Sequence, residues 1–154
     1  MNKLINKLPA ICILFIFAVN GIFSQKLDPT LHFQITFPQP ANHSYNIELN
    51  CSNWQKDTIE FKMPEWMPGY YQLMNYAKTV SNITATDSKG KNLSVKKTND
   101  HTWEIAGIKN QDFTLFYTIK TEKQFVAISY VDSAHAYLIP ENTFLYIPKH
   151  LDLP

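Results

Sequence analysis

The sequence predicts an all-β protein: a single antiparallel β-sandwich domain behind an N-terminal signal peptide. Three observations lead there. Apolar and polar residues alternate with period two through most of the chain, Gly, Pro, Asn and Asp turn signals separate the alternating segments, and only residues 71–78 could make a helical turn or two. Short alternating strands joined by turns fold as antiparallel sandwiches or barrels.

The chain opens on a different pattern. Lys3 and Lys7 form a short basic region, residues 8–19 are almost uninterruptedly apolar, and small polar residues follow. A run of that length suits the core of a signal peptide and is short for a membrane span. Cleavage after Ser24 would leave Gln25 at the new N-terminus; an uncleaved N-terminal anchor is the alternative. Cys12 sits inside the apolar run rather than just after it, which argues against a lipid-anchored cysteine. The expected organisation is therefore a signal peptide over residues 1–24 and one domain over residues 25–154, exported to a periplasm or secreted.

The strands follow in order. Residues 31–37, 45–51 and 58–63 alternate cleanly, and the third puts Ile59, Phe61 and Met63 on one face. Residues 80–86 make a fourth strand, ended by the turn at Asp87-Ser88-Lys89-Gly90-Lys91, where Gly90 supplies a positive φ. Residues 93–96 and 102–105 flank Thr98-Asn99-Asp100 as a hairpin loop. Residues 113–119, 126–131, 136–139 and 143–147 complete the expected set. The final Leu151-Asp152-Leu153-Pro154 reads like the start of a further strand, so the domain is expected to be a fragment, cut at its C-terminal end.

Composition narrows the function. Loss of Lys3 and Lys7 with the signal peptide takes the formal charge from +1 to about −1. A near-neutral exported domain has no electrostatic reason to bind nucleic acid, or membrane once the signal is removed. All 14 basic residues are lysine, which argues against a site built on a bidentate guanidinium fork. The mature chain keeps only Cys51, too few for an intrachain disulfide, and a half-buried strand position suits it better than a nucleophile's role. The four Asn-x-Ser/Thr triplets, at Asn42, Asn50, Asn82 and Asn92, matter only in a eukaryotic secretory pathway.

Catalytic patterns are missing. The five histidines, His32, His43, His101, His135 and His150, never form H-E-x-x-H, and no G-x-S-x-G elbow or Cys/His signature occurs. A zinc site scattered over strand histidines, or a Glu65–Glu141 carboxylate pair of glycosidase type, can be imagined, but nothing in the sequence brings either set together. No catalytic or metal-ligating residue is therefore expected in this chain. What remains is aromatic: Trp54, Trp66, Tyr70, Tyr71, Tyr76, Trp103, Tyr117, Tyr130, Tyr137 and Tyr146 are core and cross-strand residues or, in part, a stacking platform.

The segment Met63-Pro64-Glu65-Trp66-Met67-Pro68-Gly69-Tyr70-Tyr71 is where a platform would stand. Pro64 ends the preceding strand by removing a ladder donor. Met67-Pro68-Gly69-Tyr70 fits a type II turn, Pro68 setting φ near −65° and Gly69 taking the positive φ. The turn would hold Trp66, Tyr70 and Tyr71 in fixed positions, as an interface to a ligand or a neighbouring domain needs.

These residues also carry a family resemblance. Met63-Pro64-x-Trp66-x-Pro68-Gly69-x-Tyr71, with Ala77 and Val80-Ser81 after it, resembles the N-terminal β-domain of the glycyl aminopeptidases, gluzincin zinc metallopeptidases of metallopeptidase family sixty-one. Phe37-Pro38-Gln39-Pro40-Ala41-Asn42-His43 is similar to that domain's opening segment. Tyr130-Val131-Asp132-Ser133-x-His135-Ala136-Tyr137 and Asn142-Thr143-x-Leu145-Tyr146 are similar to its closing one. The resemblance covers nearly the whole mature chain. It implies that H-E-x-x-H, the third zinc ligand and the zinc itself belong to a later catalytic domain, so no cofactor is expected within residues 1–154 and no catalytic residue is carried over. Met74, Asn75 and Lys78 depart from the charged residues common there.

The expected function is an exported, non-catalytic accessory domain of a zinc aminopeptidase-like metallopeptidase. It would pack on the catalytic domain through Trp66, Pro68, Gly69, Tyr70 and Tyr71, in cis if the chain is a fragment and in trans otherwise. The alternative is a free-standing secreted β-sandwich that binds glycan or peptide through the same loop.

Overall fold

A computed structural model describes residues 27–121 and 124–153. The expected signal peptide, its Ser24–Gln25 junction and Pro154 lie outside the described residues. Within them the strands are β1 (Thr30–Thr36), β2 (Ser44–Ser52), β3 (Thr58–Lys62), β4 (Val80–Asp87), β5 (Ser94–Asn99), β6 (Thr102–Ala106), β7 (Phe113–Lys120), β8 (Tyr130–Val131) and β9 (Ala136–Tyr137). No α-helix occurs among the described residues; the possible helix at 71–78 is one 3₁₀ turn, Tyr76–Thr79.

All pairings are antiparallel. One sheet has the order β1-β2-β7-β4, a second β3-β6-β5, and β8 pairs with β9. The core is what period two requires. Tyr45, Ile47, Leu49 and Cys51 of β2 and Phe113, Leu115, Tyr117 and Ile119 of β7 are buried on one face of the first sheet. Ile59 and Phe61 of β3 and Trp103 and Ile105 of β6 meet them from the second, Phe61 edge to face with Phe113 at 6.2 Å. Burying each such side chain contributes about 1.5–3 kcal/mol, and a slip of one residue would turn every one of them outward, so the register is strongly fixed. On the far face short polar side chains join the same strands, Thr118 to Asn46 at 3.0 Å and Thr114 to Asn50 at 2.6 Å.

The region after β7 departs from the sequence pattern. The expected strand at 126–131 is a tight turn from Phe125 to Ile128, with only Tyr130–Val131 extended and paired. The expected strand at 136–139 shrinks to Ala136–Tyr137, and that at 143–147 to a single bridge between Tyr146 and Lys62. Residues 93–99 also differ: β5 runs through Asn99, so the expected loop at Thr98 and Asn99 is strand and the reversal lies at Asp100 and His101.

Side-chain hydrogen bonds hold this irregular region. Thr143 Oγ1 lies 2.9 Å from Tyr45 Oη and 3.3 Å from Ser129 Oγ. Tyr117 Oη donates to the Thr143 carbonyl at 2.8 Å and accepts from the Leu145 N–H at 3.3 Å. Asn142 accepts from the Ser129 N–H and donates to Thr79 Oγ1, both at 3.0 Å. Ser129, Asn142 and Thr143 are buried, and no described buried side-chain polar atom lacks a partner. A buried polar cluster is tolerable only when satisfied in this way.

Candidate functional site

Residues 65–74 form a loop closed at its base. The Met74 N–H donates to the Glu65 carbonyl at 2.6 Å, and the Glu65 carboxylate is held by Lys62 Nζ at 3.0 Å and His101 Nδ1 at 3.3 Å. That hydrogen bond also keeps the Lys62 ammonium above its usual pKa. Lys62 is tied in turn through its backbone to Tyr146. The loop is thus anchored to the end of β3, to the turn between β5 and β6 and to the C-terminal segment together.

Within it Met67 and Tyr70 are bridged, the Tyr70 N–H donating to the Met67 carbonyl at 3.3 Å, with Gly69 at φ +87°. This is the type II turn expected from Pro68-Gly69. It displays Trp66, 51 % exposed, and Tyr71, 89 % exposed, with Leu73 beside them at 82 %. Tyr70 is half-buried rather than displayed: its ring meets Phe125 edge to face at 5.4 Å. Phe125 opens the second tight turn, whose next residue, Val126, is 66 % exposed. Tyr137 Oη donates to the Val126 carbonyl at 3.0 Å, and Tyr76 Oη to the Ala127 carbonyl at 2.8 Å. The Tyr70–Phe125 contact sets two turns distant in sequence side by side; Trp66, Tyr71 and Leu73 of the first loop, Phe125 and Val126 of the second turn, and Tyr137 are exposed. Exposed apolar side chains on two joined turns are what an interaction site is built from.

The sequence named Trp66, Pro68, Gly69, Tyr70 and Tyr71 and missed Leu73, Phe125 and Val126. The remaining aromatics divide. Trp54, Tyr76, Trp103 and Tyr117 are buried in the core, and Tyr130 lies between His43 and His135, at 5.6 and 6.1 Å. A surface groove beside the loop is lined by Pro64, Trp66, Pro68, Tyr146 and Leu151 together with Lys62, Glu65 and Glu141. The imagined carboxylate pair therefore shares a groove, but the Glu65 carboxylate is held by Lys62 Nζ and His101 Nδ1.

The other reactive groups are committed elsewhere. Cys51 is fully buried, not half-buried, and burial, with the Asp112 charge, pushes its thiol up to about 12, far from a nucleophile's range. His43 Nδ1 contacts the Val131 carbonyl at 2.8 Å, His135 pairs with Asp132 at 3.2 Å, and His150 packs on Trp54. Asp132 is held below the usual carboxylate range by the N–H groups of His135 and Ala134. Among the described residues no three His, Cys, Asp or Glu side chains gather as metal ligands.

Comparison with known proteins adds the following. The family model described as the peptidase M61 N-terminal domain matches residues 32–154. The fold is similar to that of an aminopeptidase N family protein from Idiomarina loihiensis, with a TM-score of 0.74 and 22 % identity, covering 80 % of this chain and 21 % of that one. At that identity the likeness is one of fold, and the chain spans about a fifth of that protein's length. No curated protein matches.

Proposed function

The chain belongs to the peptidase M61 N-terminal domain family, and on that footing we propose that it is the non-catalytic accessory domain of an exported zinc aminopeptidase-like metallopeptidase. The aromatic loop packs on the catalytic domain or partly roofs its cleft, and zinc is held by that other domain. The observation that carries this reading is the exposure of Trp66, Tyr71, Leu73 and Val126 on two turns joined by the Tyr70–Phe125 contact. Large side chains displayed on backbone with little freedom lose little entropy on docking, which favours a standing interface. Trp66 is the expected anchor, since tryptophan and tyrosine dominate the energy of such contacts.

The test is Trp66→Ala with Tyr71→Ala in the complete peptidase. Both side chains are exposed, so the domain should fold as before. The expected result is weaker docking, seen as two separate thermal transitions in place of one, or a raised KM. Unchanged unfolding together with unchanged kinetics would overturn the proposal. Calorimetric titration of the isolated chain with oligosaccharides or peptides addresses the other reading; saturable heat lost in the double variant would favour a free-standing binding module.

A further inference from the structure

We propose that β1 is a self-association edge, pairing antiparallel with β1 of a second copy of this chain about a two-fold axis through Phe33. The two sheets contain four edge strands, and three are guarded. β3 is capped where Lys62 and Tyr146 exchange backbone hydrogen bonds of 2.8 and 2.9 Å. β4 is kinked by a register shift between Ser81 and Thr84, with Asn82 at φ 51°, and its far end bonds to Leu93. β5 carries exposed Lys96 and Lys97 and its own register shift. Bulges, lysines and covering segments are how sheet edges avoid pairing with other chains. Among the described residues β1 has none of them: seven residues in unbroken register with β2, no proline and no charged Lys, Arg, Asp or Glu.

The ladder fixes which backbone groups are free. The Thr121 N–H donates to the His43 carbonyl at 2.7 Å, so odd-numbered residues of β2 face β7 and even-numbered ones face β1. In β1 the residues opposite those even positions are Thr30, His32, Gln34 and Thr36. The N–H and C=O groups of Leu31, Phe33 and Ile35 therefore point away from the sheet, with no partner among the described residues.

The occupant follows from the sequence of the strand, Thr30-Leu31-His32-Phe33-Gln34-Ile35-Thr36, which is a chemical palindrome about Phe33. In a symmetric antiparallel pair Leu31 falls opposite Ile35 of the second copy and Phe33 opposite Phe33, through the free backbone groups. His32 falls opposite Gln34, and Thr30 opposite Thr36. Every half-buried apolar residue meets another on the core side, every exposed polar residue meets another outside, and no like charges are opposed. The result is a continuous sheet running from β4 of one copy to β4 of the other. This inference does not rest on the accessory-domain reading.

Variants of the full chain with Cys12 and Cys51 replaced by alanine and one new cysteine in β1 test it. The pair formed by residue 32 and residue 34 of the second copy is non-hydrogen-bonded, with Cα atoms about 4.5 Å apart, inside the range a disulfide spans. Residue 32 to residue 32 is a diagonal of about 7–8 Å. His32→Cys and Gln34→Cys, both on exposed side chains, are prepared separately, then mixed under a glutathione redox buffer. The expected result is a covalent dimer severalfold more abundant in the mixture than with either variant alone. Adding Thr30→Lys and Thr36→Lys to both should lower that yield by opposing lysines across the axis. Equal cross-linking by each variant alone, or none in the mixture, would overturn the proposal; the second outcome would leave the edge to a strand of a different polypeptide.

Discussion

Tyr70 and Phe125 meet edge to face with ring centroids 5.4 Å apart, each at one end of a tight turn closed by its own backbone bridge. This contact joins the loop the sequence singles out to one it does not, and its strength is measurable. An aromatic pair contributes about 0.5–1.5 kcal/mol beyond its area, and with Phe125 40 % exposed the lower half of that range is expected. A double-mutant cycle of Tyr70→Ala and Phe125→Ala in urea unfolding should return that coupling. Strict additivity would mean that the two turns are independent.

The turn itself depends on Gly69. A Cβ at that position would meet nothing within 4 Å, so Gly69→Ala meets no clash and carries only the backbone strain of φ +87°. The expected loss is about 1–2 kcal/mol, partly offset by the lower entropy of the unfolded chain. Gly69→Asn should lose less, because asparagine tolerates positive φ better than alanine. Urea midpoints of the two variants check the order.

How much was legible depended on where the information lies. β1 to β7 follow from period two because the sandwich buries one side of each strand, as in Tyr45, Ile47, Leu49 and Cys51. The Met67–Tyr70 turn was legible because Pro68 and Gly69 constrain their own φ angles. After β7 the same reasoning over-reads. Ala127, Ser129 and Val131 are buried at alternate positions like strand residues, yet the Phe125–Ile128 reversal and bonds to Ser129 and Asn142 put them there. Those partners are distant in sequence or lie in polar side chains, which no hydrophobic period encodes. Leu73, Phe125 and Val126 escaped notice for the same reason: each is ordinary in its own window, and only the fold places the two turns together.

Alkali should destabilise the protein through its buried hydroxyls and its buried thiol. Burial holds the Tyr76 hydroxyl up to about 12, with the Glu141 charge adding to it, and burial likewise raises Tyr45 and Tyr117 and lifts Cys51 to about 12. These groups keep their protons in the folded chain and lose them earlier when unfolded, near 8.5 for cysteine and 10 for tyrosine. Their contribution is therefore complete below those values and is lost as pH rises through the window up to about 12. Each group adds a slope of at most about 1.4 kcal/mol per pH unit. Urea unfolding between pH 8 and 11 should show the decline, and Tyr76→Phe, although less stable at pH 8, should show a shallower one.

Thr143 is the position where the irregular C-terminal segment is most exposed to a small change. Its hydroxyl serves Tyr45 Oη and Ser129 Oγ, and its carbonyl takes the Tyr117 hydroxyl. Thr143→Val keeps shape and burial but takes the partner from the Tyr45 hydroxyl, while Ser129 Oγ keeps its bond to the Ile139 backbone; leaving a buried polar group unsatisfied costs about 1–3 kcal/mol. Tyr117→Phe strands the Thr143 carbonyl and the Leu145 N–H instead, at similar cost. Because residues 125–147 join the two main sheets by these bonds and one bridge at Tyr146 rather than by a long ladder, the loss should appear first as local opening. Hydrogen exchange should speed up at Ser129, Ile139 and Leu145 while β2 and β7 stay protected. Uniform acceleration across both sheets would show that the segment opens only with the whole domain, and that the polar cluster is part of the global core rather than its local clasp.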